Sequence, residues 1–141
     1  MVNHLDHIGR WPVSGPEARK EKRMILIRPE DSLKLIHGRD NHVLVSMFVS
    51  NDFIHFATMT IPIGKHSDAE VHQGDEVIFV LEGTLLIQVY DEGTSDSDSV
   101  LQNVFKVQKH EKFLLPENRR HRYLNLGGEV TRFIFSVAPG I

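Results

Sequence analysis

At 141 residues, with 40% hydrophobic and 25% charged side chains, the chain has the make-up of one ordinary globular domain. This excludes both a multidomain enzyme with a separate nucleotide-binding half and a mini-protein that needs staples. Its 16 Lys and Arg against 19 Asp and Glu give a net charge of −3, too mild to make nucleic acid or an acidic membrane the expected partner. With no cysteine and nine histidines, thiol nucleophiles, disulfides and thiolate metal sites are excluded together.

Residues 1–23 are polar and mixed, ending in a charged run from Glu17 to Arg23, and are expected to form an N-terminal arm in which His4, Asp6 and His7 have no ligand role. The opening residues lack the apolar stretch of a signal peptide, and no window approaches a membrane span; a cytoplasmic location is the expectation. From Met24 the texture changes to short runs of Val, Ile, Phe and Thr separated by turn residues, the pattern of an all-β sandwich or barrel. One domain over 24–141 is expected.

The spacing predicts strands over 24–27 and 33–36, with Pro29, Glu30 and Asp31 as the turn between them. Runs over 43–49 and 53–61 form a hairpin around Ser50, Asn51 and Asp52. In the second run His55 falls on the face opposite Thr58, and only one of the two sets lines the interior. Strands over 76–81 and 84–90 turn at Glu82 and Gly83. The acidic tract of Asp91, Glu92, Asp96 and Asp98 lacks the ordered spacing of a calcium loop and reads as a solvated loop over 91–99. Strands over 100–107, 113–115, 119–126 and 130–137 complete the set. His37, His42 and His110 flank turns and are expected at the surface.

Two segments carry the chemistry. Glu70 and His72 are two apart, so both point to one face of an extended chain. Glu76 opens a run whose Ile78 and Val80 share its face, and a carboxylate leading a buried face needs a charge partner; a metal would supply one. Arg119, His121, Tyr123 and Asn125 alternate onto one face of the second segment. If both faces are interior, His121 meets His72 and Glu76 around one ion, which with nitrogen and oxygen donors alone would be Fe, Mn, Zn, Ni or Co. Tyr123 is placed to be a general acid or base, or to pack as a pocket-lining aromatic. Arg119 is placed either to clamp a substrate carboxylate or to lie at the surface.

In these segments the sequence resembles the cupin superfamily, whose first motif runs Gly, five residues, His-x-His, three or four residues, Glu, six residues, Gly. Gly64, His72, Glu76 and Gly83 fall on that spacing. The second motif is Gly, five residues, Pro-x-Gly, two residues, His, three residues, Asn, and Pro116, His121 and Asn125 match it. The likeness spans about residues 33–137. It implies a single-domain double-stranded β-helix, or jelly-roll barrel, one divalent metal ion, a small-molecule substrate or ligand, and a homodimer that exchanges N-terminal strands. The chain departs from the pattern where Glu70 takes the place of the first histidine, and where His110 and Asn118 replace glycines.

Carried over, the ligand set is Glu70, His72, Glu76 and His121, whose two carboxylates would neutralise a divalent ion. If Glu70 stands apart, His72, Glu76 and His121 form a two-histidine, one-carboxylate face of the kind used by non-haem iron oxygenases; His66 is a loop residue expected in solvent. Two functions follow: a metal-dependent enzyme of isomerase, lyase or dioxygenase type acting on a small polar metabolite with Glu70 or Tyr123 moving a proton, or a non-catalytic ligand-binding or sensory module.

Overall fold

The structure, a computed structural model, describes residues 24–38, 40, 42–51, 53–90 and 101–139. The arm expected at 1–23 and the loop expected over 91–99 lie outside the described residues. After a 3-10 turn at Pro29–Asp31 the chain forms β1 (Leu33–His37), β2 (Val43–Ser50), β3 (His55–Ile61), β4 (Asp75–Glu82), β5 (Leu85–Tyr90), β6 (Leu101–Val107), β7 (Lys112–Leu115), β8 (His121–Leu124) and β9 (Thr131–Ala138). Among the described residues no helix is long and apolar enough to cross a membrane.

The strands form two antiparallel sheets, a six-stranded one in the order β1-β2-β3-β9-β4-β7 and a three-stranded one in the order β6-β5-β8. Both follow from alternation with period two. In β3 the buried set is His55, Ala57, Met59 and Ile61, while Phe56, Thr58 and Thr60 face outward; the interior face is therefore the one that carries His55. The same alternation in β4 and β9 buries Glu76, Ile78 and Val80 beside Phe133, Phe135 and Val137. Met47, Met59, Ile61, Leu85, Ile87 and Tyr123 close the core between the sheets.

Register decides where chemistry meets this core. His55 pairs with Val137, Val137 with Glu76, and Glu76 with Leu115, and all four are buried. A row that alternates polar His55 and Glu76 with apolar Val137 and Leu115 thus crosses the large sheet at one end of the interior.

The structure corrects the sequence reading at several ends. Residues 24–27 form no strand, and Met24 and Leu26 are 96% and 74% exposed; among the described residues none pairs with this run, so its apolar composition has no ladder to join. The strand expected from residue 53 begins at His55, because Asn51 Oδ1 accepts the N–H groups of Phe53 at 2.8 Å and Ile54 at 3.1 Å and turns the chain there. The strand expected over 119–126 spans only His121–Leu124. There Asn125 Oδ1 accepts the Gly127 N–H at 3.0 Å, and the chain turns away. His37, expected at the surface, is a half-buried member of β1.

Candidate metal centre

The segment before β4 is zipped onto β8. Gly64 N–H donates to Asn125 O at 2.8 Å, Asn125 N–H to Lys65 O at 2.9 Å, and Ser67 N–H to Tyr123 O at 2.8 Å. Glu70 and His121 form an isolated bridge further along, and Asn118 N–H then donates to His72 O at 2.9 Å. The two segments that carry the chemistry are therefore neighbours in space, held by backbone.

Backbone conformation supports this docking. His110 and Asn118, which stand where the resemblance expects glycines, have φ of 70° and 61°, the left-handed region that a turn requires there. His110 N–H reaches Val80 O at 2.8 Å from that conformation.

His72, Glu76 and His121 come together, each offering one ligand atom within 4.8 Å of the others, and all three are buried. His121 Nδ1 lies 2.8 Å from Arg119 O, and His72 Nδ1 lies 3.3 Å from Gln73 O. A carbonyl only accepts, so each Nδ1 carries the proton and each Nε2 is left with its lone pair. Neither Nε2 has a hydrogen-bond partner, although both are buried. They face one carboxylate, His72 Nε2 at 3.6 Å from Glu76 Oε1 and His121 Nε2 at 3.9 Å from Glu76 Oε2. Those separations exceed a hydrogen bond and approach the roughly 3–3.5 Å between donors that share one ion at about 2.1 Å. Two buried imidazole nitrogens without hydrogen-bond partners, both facing one carboxylate, fit a divalent ion.

Tyr123 lies beneath the three. It is fully buried, its ring meets the ring of His121 at 5.1 Å, and its hydroxyl donates to Glu76 Oε2. Glu70 is buried at 8% exposure but is not one of the group that lies within 4.8 Å. Arg119 is half-buried, and its enclosed Nε has no hydrogen-bond partner among the described residues. His66 is exposed, as expected, with Nδ1 2.8 Å from Ser67 O.

Burial sets the electrostatics. It pushes the Glu70 carboxyl up to about 7, helped by the charges of Glu76 and Asp68 and opposed by that of His72. It lowers the pKa of His121 against the pull of Glu76 and the Arg119 carbonyl. At His72 burial also acts downward, but Glu76 facing its Nε2, the charge of Glu70 and the Gln73 carbonyl outweigh it and hold the pKa above the ordinary value. The two imidazoles are thus unlike, His121 readily neutral and His72 more basic.

The model of the cupin domain family matches residues 57–137. The chain belongs to the cupin family. Solved structures agree on the fold. This cupin is similar to Fe(II)-HppE in complex with the alternative substrate (S)-1-HPP, with TM-score 0.66 and 18% identity over 82% of this chain and 60% of that one. It is similar to an RmlC-like cupin from Shewanella frigidimarina, with TM-score 0.62 and 14% identity over 84% of this chain and 93% of that one. It is similar also to oxalate oxidase in complex with the substrate analogue glycolate, with TM-score 0.51 and 23% identity over 62% of this chain and 44% of that one.

Two features of the cupin interior were not singled out in the sequence. Ser67 is 1% exposed, and its Oγ accepts the Tyr123 N–H at 2.9 Å. Ser50 and His55 are a buried pair, with Oγ and Nδ1 2.9 Å apart. The period of β3 placed His55 on one of two faces, and the burial of Ala57 and Met59 beside it selects the interior.

Proposed function

We propose that this cupin is a metal-dependent enzyme acting on a small polar metabolite, with one divalent first-row ion held by His72, Glu76 and His121. The observation that carries the reading is the pair of buried, unpartnered Nε2 atoms aimed at one carboxylate. A two-histidine, one-carboxylate set suits Fe(II), and the likeness to Fe(II)-HppE supports iron ahead of Mn, Zn, Ni or Co. When bound, such an ion supplies Lewis-acid and, for iron, dioxygen chemistry.

The chain's own residues do the rest. The Arg119 and Gln73 carbonyls fix the tautomer and ring direction of the two ligand histidines. The Tyr123 proton is engaged by Glu76, which leaves Glu70, buried at the margin of the three, as the proton carrier. Arg119, with its enclosed Nε, offers a partner to an anionic group on the substrate. Leu115 and Val137, in the same row as Glu76, keep water from the inner side. A homodimer belongs to the same proposal: among the described residues β1 is an outer strand of the large sheet, Ile36 on it is 70% exposed, and a strand edge not paired by them invites a second copy. Light scattering that gives a monomer removes that part.

Metal analysis of protein purified without chelator tests the reading. The expected result is about one first-row ion per chain, lost in Glu76→Ala and His121→Ala. Wild-type protein that takes up none of Fe²⁺, Mn²⁺, Co²⁺, Ni²⁺ and Zn²⁺, or variants that retain the full complement, overturns it. Oxygen uptake by the iron-loaded protein with an oxidisable metabolite selects the oxygenase branch; an ion bound without turnover favours the ligand-binding module.

A further inference from the structure

We infer that Tyr123 is a positioning residue for the metal-binding carboxylate: its hydroxyl holds Oε2 of Glu76, so that Oε1 alone is offered to the ion. The inference rests on the metal reading above and gives that site its ligand count. Tyr123 is fully buried, packed against the rings of His121 at 5.1 Å and Phe133 at 5.0 Å. Phenylalanine would fill the same space without burying a hydroxyl, a group that is costly to bury when it has no partner. The partner here is a carboxylate oxygen.

The phenol is also fixed in place. Tyr123 exchanges hydrogen bonds with Ser67 on one side, N–H to Oγ at 2.9 Å and O from the Ser67 N–H at 2.8 Å. On the other side it pairs with Ile87 of β5. The hydroxyl therefore meets Glu76 from a rigid strand, and the two oxygens of Glu76 become unlike. Each oxygen faces one histidine, Oε1 3.6 Å from His72 Nε2 and Oε2 3.9 Å from His121 Nε2, but Oε2 is also engaged by Tyr123. An oxygen that already accepts a hydrogen bond is the poorer donor of the two, which favours binding of the ion through Oε1. The protein then supplies three donor atoms rather than four, and one more position remains for substrate.

Cobalt binding tests this, because Co²⁺ reports both affinity and ligand number. Tyr123→Phe is expected to keep the fold and the wild-type stoichiometry, to bind Co²⁺ about 10–100-fold more weakly, and to show weaker d–d absorption as the released Oε2 joins the ion. A variant with the wild-type spectrum and an affinity within about twofold of wild type overturns the inference alone. Wild-type protein that binds no Co²⁺ overturns the metal reading and the inference with it. Should Tyr123→Phe not fold, the Fe³⁺-loaded wild type decides. A phenolate-to-iron charge-transfer band would show the Tyr123 oxygen itself to be a ligand and overturn the inference; absence of the band supports it. The other tyrosine, Tyr90, is engaged with Gln88 at 3.3 Å.

Discussion

Glu70 and His121 exchange both of their backbone hydrogen bonds, Glu70 N–H to His121 O at 2.9 Å and His121 N–H to Glu70 O at 3.0 Å. This bridge brings the segment leading to His72 against the strand that carries His121. It also places a second carboxylate inside the fold without making it one of the clustered three. Once ionised, the buried Glu70 carboxylate weakens the metal-free protein, because burial and the charges of Glu76 and Asp68 oppose its charge.

That weakness has a pH signature. The Glu70 carboxyl is pushed from 4.5 up to about 7 in the folded chain, so between those values the fold binds a proton that the unfolded chain has released. Stability from this group is full below 4.5 and is lost as pH rises through about 7. Metal-free Glu70→Gln is expected to melt near the wild type at about pH 5 and several degrees above it at about pH 8, each kcal/mol moving the midpoint roughly 4 °C in a domain of this size. A variant that melts below the wild type at both pH values would show the carboxylate to be a net stabiliser.

Metal uptake should release protons unequally from the two histidines. His121, its pKa lowered by burial, is already neutral near pH 7, whereas His72, raised by Glu76 and Glu70 against its burial, holds a proton longer. The ion competes with that proton. In Glu70→Gln, where the second carboxyl no longer titrates and Glu76 and the Gln73 carbonyl alone hold the His72 proton against burial, log affinity for Zn²⁺ should rise with pH by about one unit per pH unit wherever His72 is still protonated and His121 is not. Calorimetry in buffers of different ionisation enthalpy checks the proton count, and a slope near two would mean that His121 titrates as well.

Glu76 and His121 were legible in the sequence because a period of two placed each on a buried face, and the paired motifs supplied His72 and the register between segments that no local pattern gives. The motifs marked His110 and Asn118 only as replacements of glycines; their left-handed backbone came from the structure. Glu70 was less legible. The two-residue spacing from His72 holds along a strand, but residues 71–74 form none, and the alternation cannot say how near the carboxylate comes to the ion. Residues 24–27 misled in another way. Apolar composition signals a strand only when a neighbour is present to receive its hydrogen bonds, and composition does not show the neighbour.

Asn125 matches a motif position, yet its surroundings are structural. It is fully buried, with Nδ2 donating to Ile61 O at 2.9 Å and Glu129 O at 2.8 Å and Oδ1 accepting from Gly127 N–H at 3.0 Å. It ties the ends of β3 and β8 to the turn before β9. Asn125→Ala strands the buried Ile61 carbonyl and frees the turn at Gly127 and Glu129, and should cost about 1–3 kcal/mol, while the folded fraction keeps wild-type metal affinity. Urea unfolding with a metal titration separates the two effects; an unchanged midpoint would contradict the structural role.

The motif glycines should differ in what they tolerate. Gly64 and Gly83 both have positive φ, +75° and +71°, so alanine at either is strained by about 1 kcal/mol. Space then separates them. A Cβ at Gly64 meets nothing within 4 Å, whereas at Gly83 it would lie 2.5 Å from Val130 O and 3.0 Å from Thr131 Oγ1. The first of these is backbone at the start of β9, which β3 and β4 hold from both sides, so it has little room to retreat. Gly64→Ala should therefore lose only about 1 kcal/mol, and Gly83→Ala about 3 kcal/mol or more, through overpacking added to strain. Denaturant midpoints of the two variants measure the difference, and equal losses would mean that the β4–β5 turn moves away from β9 to make room.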